Sequence, residues 1–272
     1  MKKIVFDLDY TLLDTIAFKE ALIAATGVPK EAWEETYKDT VAKKGFFEPG
    51  AFFDELAGRN LLTDDVAAAK DRFEGVLRTT EQYLYPEAKE LVLALGRHKG
   101  EVEVDLMTFG EAKWQRSKVE HSGLGRMFQD VLYVETNKKE FVQGLGKGRD
   151  EVDEVILVND NGKEMEEMVE AAPEHTYIWK SGGPKAAPKD WKHLKAESIG
   201  DLARVLEKQT GFELRREMRE VREGIENMKV ESGENVRVEI EMGDDDESGE
   251  SKVESGKSEG SPIDPGTKGR RL

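Results

Sequence analysis

The stretch Ile4-Val5-Phe6-Asp7-Leu8-Asp9-Tyr10-Thr11-Leu12-Leu13 decides how the rest of the chain is read. With Lys2 and Lys3 it forms a short apolar run that stops at Asp7, the pattern of a buried parallel strand ending in a loop. Ligand sites of open parallel sheets lie beyond the carboxyl ends of the strands. Asp7 and Asp9 stand at such an end, two residues apart, so continued strand geometry points both the same way. Two like charges this close repel unless a cation or a proton intervenes. A hard divalent cation with oxygen ligands resolves the conflict most simply, and magnesium fits. The plainer alternative is an Asp turn or helix cap.

Working outward, residues 15–83 lack strand alternation and show helical spacing, as in Ala17, Ala21, Leu22, Ala24 and Ala25. A second helix is expected near Lys30 and a third after Thr63-Asp64-Asp65, with glycines 27, 45, 50 and 58 as punctuation. From Pro86 onward the pattern changes. A helix over 87–95 leads to strand-like runs at 102–108, 131–134, 155–158 and 176–179, separated by helical or polar stretches at 111–122, 138–145 and 163–172. A last domain helix is expected over 198–210. Strand–helix alternation predicts an α/β, Rossmann-like parallel sheet covered by helices. The expected organisation is a core from 1–14 and 86–210, an all-helical insertion over 15–85, a C-terminal helix over 211–232, and an acidic low-complexity tail over 233–272.

In that C-terminal helix Leu214, Met218, Val221, Ile225 and Met228 are spaced 4, 3, 4, 3. Docking on the parent domain or a solvated face is the ordinary reading, and a dimer seam the alternative, so the chain reads as monomer or dimer. The stretch 236–242 alternates with period two. Beyond it, no aromatic residue follows Phe212 and charged, Ser and Gly residues dominate, so the tail is expected to be disordered.

Composition limits the function classes. Lys plus Arg number 41 against 57 Asp plus Glu, a formal charge of −16 over 272 residues, the opposite of a nucleic-acid footprint. The absence of cysteine excludes disulfides, thiol catalysis and Cys-ligated metal centres. No apolar run approaches the ~18 residues of a membrane helix, and Asp7 interrupts the only apolar stretch near the start. The chain therefore reads as soluble and cytoplasmic, with neither nucleic acid nor membrane as partner.

Three further segments stand at expected strand ends or just beyond. Thr108-Phe109-Gly110 offers a hydroxyl and nearby backbone N–H groups to an anion. Asn159-Asp160-Asn161-Gly162-Lys163-Glu164 places two acidic groups four apart at a strand-to-helix turn. Asp160 can ligate a cation, and Glu164 can join it or orient its waters; capping and helix-dipole roles are the bland alternative. Asn137-Lys138-Lys139 supplies an ammonium able to balance the carboxylates and hold a phosphoryl oxygen. Each is weak alone, and their order along the chain is what makes them informative.

Taken together, these residues resemble the motifs of the haloacid dehalogenase (HAD) superfamily. Asp7-Leu8-Asp9-Tyr10-Thr11 looks like its first motif, Thr108 its second, Lys138 or Lys139 its third, and Asp160 with Glu164 its fourth. Tyr83 to Ala88 resembles the entry to the helix before the second motif. The run from Thr108 through Gln115, Lys118 and Gly123-Leu124 to Phe128 resembles the family's strand–helix–turn at and after that motif. The likeness covers roughly 1–206. It departs from the family where Asn159-Asp160 stands for the frequent Gly-Asp or Asp-Asp, and where Lys138 lacks a following proline. Lys138 is preferred to Lys139, with Lys118 a third candidate.

The resemblance implies a phosphatase with Asp7 as nucleophile and Asp9 as general acid and base. Magnesium would be held by Asp7, the backbone carbonyl of Asp9, and Asp160. Thr108, Gly110 and the lysine would take the phosphoryl oxygens, and Glu164 would be a possible second acid. The dehalogenating branch of the superfamily lacks an acid at the second position, so Asp9 favours phosphorus chemistry. The helical insertion resembles a cap that closes over a small phosphorylated substrate, such as a sugar phosphate, phosphoglycolate or nucleotide. Trp33, Tyr37, Lys43, Lys44, Phe46 and Phe47 within it read first as cap core and solvated surface, with facing the site as the alternative. A phosphotransferase or mutase would keep every motif, and a noncatalytic scaffold would use the C-terminal helix and tail.

Overall fold

The structure, a computed structural model, describes residues 1–145 and 152–232. The acidic tail over 233–272 and the alternating stretch within it lie outside the described residues. Six parallel strands form one sheet in the order β3-β2-β1-β4-β5-β6: β1 Lys2–Phe6, β2 Val102–Phe109, β3 Val131–Val134, β4 Glu154–Asn159, β5 Thr176–Lys180 and β6 Leu194–Ala196. This is the Rossmann-like α/β sheet expected from the alternation. β1 is central, with Phe6 in register with Leu106 of β2 and Val158 of β4. Its run is apolar without interruption because both faces are covered. Ile4 and Phe6 join one buried cluster and Val5 the other. The strand order reverses between β1 and β4, and in an open parallel sheet that reversal opens a crevice beyond the strand ends.

Between β1 and β2 the chain runs through α1 (Thr15–Thr26), α2 (Lys30–Lys44), α3 (Pro49–Gly58), α4 (Val66–Leu77), a 3-10 turn at Thr80–Tyr83, and α5 (Ala88–Gly96). The ends of this helical excursion are tied together: Asp14 N donates to Tyr83 O at 2.7 Å and Tyr85 N to Leu12 O at 2.9 Å. Trp33, Phe52, Phe53 and Phe73 fill its interior and continue through Phe18 and Trp114 into the core of the sheet domain. The remaining helices are α6 (Ala112–Ser122), α7 (Lys139–Val142), α8 (Gly162–Ala171), α9 (Ile199–Thr210) and α10 (Leu214–Ser232).

Three elements differ from the sequence reading. Helix α3 reads as punctuation in the sequence because Gly50 and Gly58 bracket it, yet Pro49 sits at its first turn, where a missing N–H costs nothing. The helix expected after Asp65 is therefore the fourth of the excursion. Strand β6 is too short for its period to register, and α7 is shorter than the expected 138–145.

Helix α10 settles the reading of the 4, 3, 4, 3 stripe for its first half. Leu214, Met218 and Val221 are buried. Arg222 reaches Glu87 at 2.7 Å, and Glu217 lies 2.9 Å from His98, so the helix docks on its own domain beside α5. Met228, at 44% exposure, carries the stripe out of that contact. No described helix is long and apolar enough to cross a membrane.

Leu214→Ala should destabilise the protein by about 3 kcal/mol, as for a fully buried leucine. Ile16→Ala, at a side chain 48% exposed, should stay within about 0.5 kcal/mol. Urea unfolding of both variants checks the difference; equal midpoints would mean that α10 is not part of the folded unit.

Candidate active site

The site is built at the carboxyl ends of β1, β2 and β4. The β1 ladder runs one residue past the strand, with Asp7 N donating to Val158 O at 2.9 Å, which fixes the Asp7 backbone beside β4. The chain then turns sharply: Leu8 O accepts from both Leu12 N and Leu13 N. Tyr10 takes φ 59° at this turn, a left-handed conformation that a side chain rarely adopts unless its surroundings impose it. Tyr10 N donates to Thr15 Oγ1 at 3.1 Å, so the first turn of α1 is hydrogen-bonded to the loop.

Asp7 and Asp9 do point into one cavity, but each has its own lysine. Lys138, 3% exposed, donates to Asp7 Oδ1 at 2.6 Å and lies 3.1 Å from Glu164 Oε2. Lys118, equally buried, donates to Asp9 Oδ1 at 2.7 Å. Asp9 also accepts from Thr15 Oγ1 at 2.9 Å and from Gln115 Nε2 at 3.4 Å. Of the three candidate lysines, Lys138 is the one at Asp7, Lys139 is exposed, and Lys118 serves Asp9.

Thr108 is 1% exposed and its hydroxyl donates to Gln115 Oε1 at 3.0 Å, while Gln115 Nε2 donates to Phe109 O at 2.8 Å. The hydroxyl hydrogen is thus directed at Gln115, while Gly110, at φ 140°, lines the cavity. Glu164 accepts from Asn159 Nδ2 at 3.1 Å and Asn161 Nδ2 at 2.8 Å. Asp160 O takes the Trp179 indole N–H at 2.8 Å, but its carboxylate Oδ2 is buried with no hydrogen-bond partner. The 181–183 loop passes so close that a Cβ on Gly183 would lie 2.6 Å from that oxygen.

These environments separate the four acids. Burial pushes Asp7 up to about 6, against the opposing Lys138 charge. Burial, then the neighbouring Asp7, pushes Asp160 up to about 8. Burial alone would raise Asp9 and Glu164 too. Lys118 with the Thr15 and Gln115 hydrogen bonds outweighs it at Asp9, and Lys138 with the Asn159 and Asn161 amides outweighs it at Glu164, so both lie below the ordinary value. Lys118 and Lys138 pair with three of the four acids, and Asp160 is the one left without an ion pair to either. An orphaned carboxylate oxygen and an all-oxygen donor set fit a hard divalent cation held by Asp7, Asp160 and the Asp9 carbonyl.

A different acidic group, Glu103, Asp105 and Asp130, lies toward the amino ends of β1 and β2. Lys3 stands among them, 2.9 Å from Glu103 and ion-paired with Asp105.

The cavity above Asp7 holds about 370 Å³. Trp33, Tyr37, Phe46 and Phe47 of the helical excursion line it, whereas Lys43 and Lys44 turn outward to Glu55 and Glu48. Sequence reasoning placed cap core first for these aromatics and kept facing the site as the alternative. It missed Thr15, Lys19 and Lys185 as lining residues and Gln115 as a partner of Asp9. Gln115 and Lys118 carried a usable signal: they lie three apart on α6, directly after the second motif.

The family of haloacid dehalogenase-like hydrolases matches residues 4–171. A HAD-hydrolase from Bacillus subtilis, YfnB, bound to magnesium, is similar at 16% identity with TM-score 0.51, over 75% of this chain and 98% of that one. A haloacid dehalogenase-like hydrolase from Burkholderia xenovorans LB400 is similar at 20% identity with TM-score 0.55, over 74% and 94%. A 2-haloacid dehalogenase from Pseudomonas syringae pv. Tomato is similar at 22% identity with TM-score 0.52, over 77% and 99%. At these identities the likeness is one of fold. No curated protein matches the chain.

Lys118→Met leaves the Asp9 carboxylate largely buried without its counter-charge. It should cost about 3 kcal/mol, the low end for breaking a buried pair because Asp9 keeps some solvent contact. Thermal and urea unfolding measure it; an unchanged midpoint would show that the pair does not form.

Proposed function

The chain belongs to the haloacid dehalogenase-like hydrolases, and from that premise we propose that it is a magnesium-dependent phosphomonoester hydrolase of small phosphorylated substrates. The observation that carries the reading is Asp9: a second carboxylate, facing the same cavity as Asp7 and held there by Lys118, Thr15 and Gln115. A hydrolase working at carbon through the first Asp has no use for an acid at this place, whereas an ester of phosphoric acid needs its leaving oxygen protonated.

Asp7 would attack phosphorus through its carboxylate and form an aspartyl-phosphate while the P–O bond to the alcohol breaks, splitting one hard step into two. Asp9 would give the alcohol oxygen its proton, then take a proton from the water that hydrolyses the acyl phosphate. A group in this role contributes about 100- to 10,000-fold. In the arrangement seen here Asp9 is engaged by Lys118, the state suited to the water-activating half. The protonating half requires Asp9 to turn away from that ammonium. Lys138 would stay beside Asp7, holding its carboxylate in position and presenting a positive charge to the incoming phosphoryl oxygens. The backbone at Gly110 would border those oxygens; Thr108, through Gln115, helps to set where the Asp9 carboxylate sits. A magnesium ion bound by Asp7, Asp160 and the Asp9 carbonyl would neutralise charge that opposes attack by an anion on an anion.

Asp7→Asn should abolish turnover, because an amide is a poor nucleophile and a poor ligand. Asp9→Asn should keep the metal but lose about 100- to 10,000-fold in rate. Asp160→Asn should raise the magnesium concentration for half-maximal activity by about tenfold or more. A release assay over a panel of phosphomonoesters, with magnesium titrated for each variant, separates the three. Retention of near wild-type hydrolysis by Asp7→Asn would sink the assignment. Free phosphate as the sole product would exclude transfer to another acceptor.

Magnesium removal gives a readout independent of turnover. At about 100 times its Kd, magnesium should stabilise the folded protein by about 2.7 kcal/mol, and Asp160→Asn should lose most of that gain. An unfolding midpoint that ignores magnesium would place the cation elsewhere.

A further inference from the structure

The aromatic lining of the cavity bears on the other half of the substrate, and the inference drawn from it rests on the phosphatase reading. Trp33 and Tyr37 stack with centroids 5.3 Å apart and planes 12° from parallel. Phe47 lies 5.0 Å from Tyr37, and Trp114, from α6, stands edge-on to Phe47 at 5.6 Å. Phe52 backs Trp33 at 4.8 Å. Trp33 and Phe52 are fully buried behind, while Tyr37 and Phe47 remain half-buried and face the cavity that holds Asp7. The wall is thus rigid from behind and open in front.

An ammonium stands beside the rings. Lys19 Nζ lies 4.9 Å from the Tyr37 ring centroid and 5.3 Å from that of Trp33. Trp33 Nε1 is buried with no hydrogen-bond partner. The carboxylates that line the cavity, Asp7, Asp9, Asp160 and Glu164, all lie at the strand ends. A polyhydroxylated leaving group placed against this wall would bury hydroxyls on π faces, leaving most of them unpaired. A flat ring covers the wall by stacking, and acceptor atoms on its edge answer the Lys19 ammonium. The volume, about 370 Å³, falls within the range of small-ligand pockets.

We propose that the substrate is a phosphomonoester whose alcohol carries a flat heteroaromatic ring with acceptor atoms at its edge, of the nucleoside monophosphate kind. Tyr37 and Phe47 would stack on the ring, and Asp7 would face the phosphoryl group.

The test compares pyrimidine and purine nucleoside 5′-monophosphates with ribose 5-phosphate, glycerol 3-phosphate and 2-phosphoglycolate under saturating magnesium. The expected kcat/KM is at least about tenfold higher for one of the nucleotides than for ribose 5-phosphate, the same ester without the ring. Tyr37→Leu should lower that ratio about tenfold and Tyr37→Phe should restore it. A ratio near one, or a Tyr37→Leu effect shared equally by ribose 5-phosphate, overturns the proposal while leaving the phosphatase reading intact. If no ester of any kind turns over, the phosphatase reading falls instead. The ring is then judged by binding to the Asp7→Asn protein: nucleotide quenching of tryptophan fluorescence that ribose 5-phosphate does not produce supports it, and equal or absent quenching overturns it.

Discussion

Four carboxylates crowd the carboxyl ends of β1 and β4, and most of what surrounds them exists to make that charge tolerable out of water. Lys138 stands between Asp7 and Glu164, Lys118 pairs with Asp9, and Asn159 and Asn161 donate to Glu164. Asp160 alone keeps a buried oxygen without a partner. Ionised carboxylates are buried only where they are paired or coordinate a cation. Among these four acids, Asp160 is the one that the neighbouring side chains leave without a partner on one oxygen. Burial pushes Asp7 and Asp160 upward, while at Asp9 and Glu164 the neighbouring lysine and side-chain hydrogen bonds overcome it.

The sheet makes this arrangement possible because it brings together residues far apart in the chain. Phe6 is in register with both Leu106 and Val158, so the residues just past three strands converge on one crevice where the strand order reverses. The helical excursion then returns to its starting point. Backbone hydrogen bonds from Asp14 to Tyr83 and from Tyr85 to Leu12 close its ends side by side. It therefore stands over the crevice as a second wall, and its aromatic interior is continuous with the main core through Phe18 and Trp114. The cavity exists because one wall is charged and built on strand ends, and the other is aromatic and built on helices.

Much of this was legible in the residues. The run from Ile4 to Phe6 with Asp7 and Asp9 after it showed a buried parallel strand and the acid pair, because a strand buried on both faces is apolar and stops abruptly at its polar end. Asp160 and Lys138 were found for the same reason, each just beyond a run of apolar residues. Helix α3 was hidden because Pro49, Gly50 and Gly58 are breakers in the interior of a helix and harmless at its ends. Lys118 was ranked low because a lysine on a helix is ordinarily solvated; its burial depends on Asp9, 109 positions away. Trp33 and Tyr37 were assigned first to a core, which Trp33 does occupy, but spacing along α2 cannot show that the same cluster has an open side.

The sequence by itself determined the fold class, a buried parallel first strand and the identity of the acids at its end. Those depend on local apolar patterning and on chemistry carried by neighbouring residues. The tertiary structure decided which lysine serves which acid, where the Thr108 hydroxyl points, and that the helical excursion presents rings over Asp7. Pairing of charges and sharing of a cavity are relations between strand ends and helices distant in the chain, and only the register of the sheet and the packing of the two aromatic layers fix them.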